Sequence, residues 1–247
     1  CPESRGLGDV YKRQIKLSAK NAAYSTFFTT LISSMCLVYA FVTNDFSIKY
    51  VFNHSNLSMD PAYTWVAMYA GNEGSLLYIA LVISLSILLV LLFKPKDMIE
   101  SEPHLVAIMS GFLLFFISVM VFFANPFDTF QTNIPSDGRG MNPLLAHPGM
   151  FSHPPLLMAG LATISVPFSL ITSMILTGTF RNNGLDFVRT TSLIVWCILG
   201  VGLLLGSWWA YTILGWGGYW VWDPIENVGL MPLSLIHISE PTRLWTI

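Results

Sequence analysis

The sequence predicts an all-α polytopic membrane protein, with five complete transmembrane helices, a truncated sixth and external loops that carry the chemistry. Three observations predict it. Hydrophobic residues make up 53% of the 247 residues and charged residues only 11%, against about 25% charged in an ordinary soluble domain. Mean hydropathy is +0.60, more apolar surface than a soluble core absorbs. Finally, five charge-free runs are each long enough to cross a bilayer, which takes about 20 helical residues. Net charge is −2 with no basic or acidic run, which argues against a nucleic-acid partner and leaves the lipid bilayer as the first partner.

The five runs are 22–43, 75–93, 105–124, 154–177 and 191–210, and a sixth begins after Pro224. They are rich in Ser, Thr, Gly and Ala, which let helices approach closely and hydrogen-bond in lipid. Lys16, Lys20, Lys94, Lys96, Arg181 and Arg189 fall on one side of these spans, and only Lys49 and Arg139 on the other. The richer side is expected to be cytoplasmic. Loops 44–74, 125–153 and 211–223 are then external, and function is expected there.

Residues 1–14 and 233–247 match neither neighbour in hydropathy and read as probable non-native flanks. The membrane domain is then 15–232. Cys1, Cys36 and Cys197 form no CxxC, so neither a disulfide framework nor a covalent haem-attachment motif is encoded. No GxxxxGK loop is present, and no charge interrupts a span, so neither a nucleotide-driven step nor a proton relay is expected.

The strongest functional signal is GSWWAYTILGWGGYWVWDPIENVGLMP at 206–232. Trp208, Trp209, Trp216, Trp220 and Trp222 are five of the eight tryptophans, with Tyr211 and Tyr219 interleaved and Gly215, Gly217 and Gly218 between them. Glycines allow a close backbone approach, and indoles and phenols offer broad faces with polar tips. That combination suits a large planar amphipathic ligand such as a porphyrin. An aromatic belt at the membrane interface is the plainer reading, but a belt does not call for three glycines among five tryptophans.

Asp223-Pro224-Ile225-Glu226 has the form of a capping box with Pro at N1, so Asp223 is expected to start the next helix. His153, in Phe151-Ser152-His153-Pro154-Pro155, lies at the external start of the fourth span. It is either a polar cap or an iron ligand, since a helix N-terminus disfavours imidazolium by about 0.3–1 kcal/mol and the neutral ring binds metal. Gly71-Asn72-Glu73-Gly74-Ser75 reads as a turn and helix start. His54 is expected to be solvated, and His147 precedes Pro148 in the loop that holds His153.

GSWWAYTILGWGGYWVWDPIEN resembles the WWD signature of haem-handling proteins in cytochrome c biogenesis. NPLLAHPGMFSHPPLLMAG, AGNEGSLLYIA and NDFSIKYVFNHSN are similar to stretches of the CcmF/NrfE-type haem lyase branch of that family. Together they cover nearly all of 36–232. The resemblance implies a multi-pass protein of the bacterial inner membrane with its WWD loop on the periplasmic side. It implies a haem lyase (cytochrome c synthase-type) subunit of a multi-protein complex. Such a subunit takes haem b from a periplasmic haem chaperone and supports its attachment to the CxxCH of apocytochrome c, beside thioredoxin-like or apocytochrome-presenting maturation subunits.

By the same resemblance His153 is an axial ligand of the haem iron. Trp208, Trp209, Tyr211, Trp216, Gly217, Gly218, Tyr219, Trp220, Trp222 and Asp223 belong to the haem platform. The family's second external histidine and its internal haem histidines fall outside 36–232. Asn72 stands where the family commonly has His, Tyr219 where it often has Trp, and His147 where an acid is frequent. The alternatives are a haem exporter or haem-presenting WWD protein without a lyase role, and a structural subunit of a respiratory membrane complex.

Overall fold

The computed structural model describes residues 2–214, 218–220 and 222–239. The described residues are almost all helical where they are regular, and among them one antiparallel bridge pairs Ile48 with Thr129. Helix α1 runs Pro2–Val42, α2 Lys49–His54, α3 Pro61–Thr64, α4 Asn72–Phe93 and α5 Glu102–Phe123. They are followed by α6 His153–Thr163, α7 Ser165–Thr177, α8 Asn182–Trp209 and α9 Pro224–Ser239. Among the described residues, five segments are long and apolar enough to cross a membrane: Arg13–Val42, Asn72–Phe93, Glu102–Phe123, Pro148–Thr177 and Asn182–Ile213. These overlap the five sequence-predicted spans, and α9 begins at Pro224 as the sixth. Helix α9 continues without interruption through position 233, where Leu233 packs on Leu157, Leu199 and Leu203.

The spans keep large apolar side chains outward: Phe93, Phe122, Phe123 and Leu204 are all more than two-thirds exposed. Contiguous apolar surface of this kind belongs against lipid rather than water. Inside the bundle, Ile83, Ile87, Leu105, Met109, Leu170 and Met174 join α4, α5 and α7 in one buried cluster. A second cluster, Leu37, Phe41, Tyr50, Val51 and Leu77, ties α1 and α4 to the segment 44–71 between them. The buried hydroxyls of Thr30 and Ser84 meet at 2.8 Å across α1 and α4, satisfying groups that hydrocarbon leaves unpaired.

The fourth span is two helices with a break at Ile164. Pro167 explains it. Its nitrogen has no hydrogen to give to Thr163, four residues back, and its ring clashes with that carbonyl.

Helices α6 and α8 pack most closely, and glycine makes this possible. A Cβ on Gly160 would lie 2.7 Å from the Leu199 Cα, and one on Gly202 would lie 2.7 Å from the Leu157 nitrogen. Small residues at such crossings let the backbones touch. The segment 44–71 is held at the start of α4 by Tyr50, whose hydroxyl donates to the Met68 carbonyl at 2.9 Å and accepts from the Gly71 N–H at 2.9 Å.

On the opposite, lysine-rich side, Glu102 is buried and holds Lys20 at 2.8 Å and Lys94 at 2.5 Å. One carboxylate thus joins the ends of three spans. This cluster lies just beyond the charge-free runs and was not evident from hydropathy.

Candidate haem site

His153 opens α6, with Pro154 and Pro155 at the positions where a missing N–H costs nothing. Two tyrosines hold this turn in place. Tyr69 donates to the Met150 carbonyl at 3.1 Å, and Tyr78 donates to the Pro155 carbonyl at 3.2 Å. Burial pushes the Tyr69 phenol above its ordinary value, so it stays a donor.

The His153 ring reaches across to α8. Its Nδ1 lies 2.8 Å from the Gly202 carbonyl. A carbonyl only accepts, so the proton sits on Nδ1, and in the neutral ring Nε2 keeps its lone pair. One turn further along α8, Gly206 gives the ring its space. A Cβ there would stand 2.4 Å from Cε1 and 3.1 Å from Nε2. Trp209 meets the imidazole edge-on, at 5.5 Å between centroids and 76° between planes. Gly202, Gly206 and Trp209 therefore form one face of α8, built around one imidazole.

The ring lines a cavity of about 290 Å³. Leu145, Leu157, Leu203 and Ile213 supply apolar walls, while Asn142, Asp223 and Glu226 bring polar groups. The Asp223 carboxylate accepts the Glu226 N–H at 2.7 Å. The residue therefore caps α9, as its sequence pattern predicted, and also faces the cavity. Where α8 ends, residues Ala210–Leu214 widen into a π-helical turn, a local geometry often found at functional sites.

The aromatic residues of the motif do not form one sheet of rings. Trp209 lines the His153 cavity. Trp208 contacts His147, with centroids 5.0 Å apart. Tyr211 and Tyr219 stack on each other at 4.3 Å and 15°, and Trp220 meets Trp222 edge-on at 5.9 Å. Trp222 adopts a left-handed backbone with φ of 60°, unusual for a bulky residue. The Trp220 Nε1 is buried and has no acceptor among the described residues, a donor left for a further group. Among the described residues, the nearest atom to a Cβ built on Gly218 is the Trp220 carbonyl oxygen at 3.9 Å. Trp216 and Gly217 lie outside the described residues.

Sequence reasoning missed His147. It caps the turn Pro148–Phe151 through Nδ1, which accepts the Gly149 N–H at 3.0 Å. Its ring also lies nearly parallel to Trp209, 6° between planes at 6.2 Å. The signal was present in the shared loop with His153, but only the folded α8 brings the tryptophans beside it. His54, expected in solvent, is instead half-buried. Its ring packs 4.4 Å from Tyr50, and its Nδ1 is 2.9 Å from the Tyr50 carbonyl.

A porphyrin iron fits this donor set: a neutral imidazole nitrogen held in one tautomer, an indole beside it and an apolar wall.

Residues 69–242 match the profile of the family described as "Cytochrome C assembly protein". The chain is 39% identical over 243 residues to the cytochrome c-type biogenesis protein CcmF of Pseudomonas fluorescens, covering 93% of this chain and 36% of that protein. It is 34% identical over 231 residues to the cytochrome c-type biogenesis protein NrfE of Haemophilus influenzae, covering 90% and 36%. A solved structure titled "Cytochrome c Heme Lyase CcmF" superposes with a TM-score of 0.71 at 34% identity, covering 85% of this chain and 33% of that one. The chain thus spans a little over a third of the curated relatives it matches. With its five membrane-length helices and a profile match over most of its length, the chain is an integral membrane protein belonging to the cytochrome c assembly protein family.

Proposed function

We propose that this segment carries the external haem site of a haem lyase subunit in cytochrome c maturation. In this reading His153 binds the iron of haem b, received from a periplasmic haem chaperone. The site then supports covalent attachment of haem to the CxxCH thiols of apocytochrome c. Thioredoxin-like or apocytochrome-presenting subunits would bring that chain to the outer face of a bacterial inner membrane. Haem, when bound, supplies an iron for axial ligation and vinyl groups for thiol addition.

One observation carries the reading. The Gly202 carbonyl fixes the His153 proton on Nδ1 and so leaves Nε2 as a ligand atom. A carbonyl on the far nitrogen is the usual way a protein orients a ligating histidine and raises its basicity. Gly206 and Trp209 then hold the ring in a single orientation. The cavity, about 290 Å³, sits at the small end of the roughly 300–1,000 Å³ typical of ligand sites. It therefore grips part of a macrocycle and leaves the remainder open, as attachment to a second protein requires.

The test is the absorption spectrum of the bound haem in the full-length protein. His153→Ala should shift the spectrum or lose the haem, with partial recovery on adding imidazole. An unchanged spectrum, with normal cytochrome c yield at matched protein level, returns His153 to a polar residue at a helix start.

A further inference from the structure

Two side chains of the loop 142–149, beside the cavity, have each spent an acceptor and kept a donor. Asn142 lines the cavity, and its Oδ1 accepts the Leu144 N–H at 3.0 Å. That bond fixes the amide orientation, so its NH₂ is the free end. His147 repeats the pattern. Its Nδ1 accepts the Gly149 N–H at 3.0 Å, and a backbone N–H only donates. The ring is therefore neutral with its proton on Nε2, the opposite tautomer to His153. Such a ring presents a hydrogen and no lone pair, so it is a hydrogen-bond donor and not a second iron ligand.

The loop also holds these donors in place. The Leu145 N–H bonds to the Asn142 carbonyl at 2.9 Å, and the His147 N–H bonds to the Leu145 carbonyl at 2.8 Å. Trp208 and Trp209 flank the His147 ring. Gly149 is closely enclosed, since a Cβ would sit 3.0 Å from the His147 Nδ1 and 3.3 Å from the Trp209 Cγ. Asn142 lines the cavity, and His147 packs against Trp209, which lines it too.

We propose that Asn142 and His147 form the carboxylate-recognition edge of this site, donating Nδ2–H and Nε2–H to a carboxylate of the planar ligand. The assignment rests on the haem reading above. It divides the labour between two histidines of opposite tautomer: His153 offers a lone pair to the metal, and His147 offers a proton to the ligand's acidic edge.

The experiment compares binding of haem and of haem dimethyl ester, whose carboxylates are blocked, to the full-length protein in detergent. Hydrogen bonds to a charged group are strong enough that wild type should prefer the free acid by about tenfold or more. His147→Asp keeps an oxygen for the Gly149 N–H and Asn142→Asp keeps one for the Leu144 N–H, and each replaces the outer donor with a charge. Each should reduce the preference to within about twofold, with the spectrum of bound haem unchanged. Loss of ring stacking weakens both ligands alike, so the ratio isolates the donor. His147→Gln, which restores an N–H at similar reach, should recover part of the preference. Wild-type preference in both His147→Asp and Asn142→Asp overturns the proposal and leaves the haem reading standing. Binding of neither ligand to wild type overturns both.

Discussion

The His153 imidazole and Gly206 occupy the same space to within a methyl group: a Cβ built on Gly206 falls 2.4 Å from the ring's Cε1. The nearest atoms are those of a ring pinned to the Gly202 carbonyl and packed on Trp209. Moving aside costs it the carbonyl bond or the packing on Trp209.

Gly206→Ala should therefore displace His153 without touching its chemistry. Gly200 lies on the same helix with nothing within 4 Å of a built Cβ, so Gly200→Ala should be neutral or stabilise α8 by about 0.5–1 kcal/mol. The haem spectrum at matched protein level separates them. A wild-type spectrum in Gly206→Ala would show that the ring's position does not matter.

Asp223→Ala should cost about 0.5–2 kcal/mol through loss of the α9 cap. Lower protein yield with an unchanged haem spectrum is the expected pattern, the reverse of His153→Ala. A changed spectrum at normal yield would instead place Asp223 against the ligand.

Glu102→Gln leaves the buried Lys94 without its carboxylate, and breaking such a pair from one side typically costs about 3–5 kcal/mol. Lys20 is one-third exposed, so Lys20→Met should cost much less. Thermal unfolding in detergent measures both. Equal, small effects would show that the cluster does not hold the three spans together.

Tyr50→Phe removes a buried hydroxyl that serves two backbone groups, an expected loss of about 1–3 kcal/mol. Burial raises the Tyr50 phenol above its ordinary value near 10. Its contribution should be fully present below about pH 10, where folded and unfolded chains both keep the proton. Above that the unfolded chain loses the proton first, so stability falls as pH rises. Limited proteolysis of the segment 44–71 across this range should show the loss in wild type and a weaker dependence in Tyr50→Phe.

A reporter active only in the periplasm, fused after Tyr219, should be active, because six Lys and Arg flank the spans on one side and two on the other. Activity confined to a cytoplasmic reporter would invert the orientation and move the site to the other compartment.

Local pattern settled much of this protein. Charge-free runs located the five spans because bilayer thickness sets helix length independently of neighbours. Asp-Pro-Ile-Glu announced the α9 start because capping is completed within four residues, and the resemblance of the WWD and HPP stretches singled out His153 and Trp209, whose rings the fold brings together. What sequence left open depends on contacts between distant segments. The His153 tautomer is decided by a carbonyl 49 positions away, and the Glu102 partners come from two other helices. The motif's aromatics suggested one platform, yet the turn of α8 after Trp209 sends neighbouring rings to different partners. His147 looked like an ordinary loop histidine because its meaning lies in Trp208 and Trp209, residues of another helix that only close α6–α8 packing at Gly160 and Gly202 brings beside it.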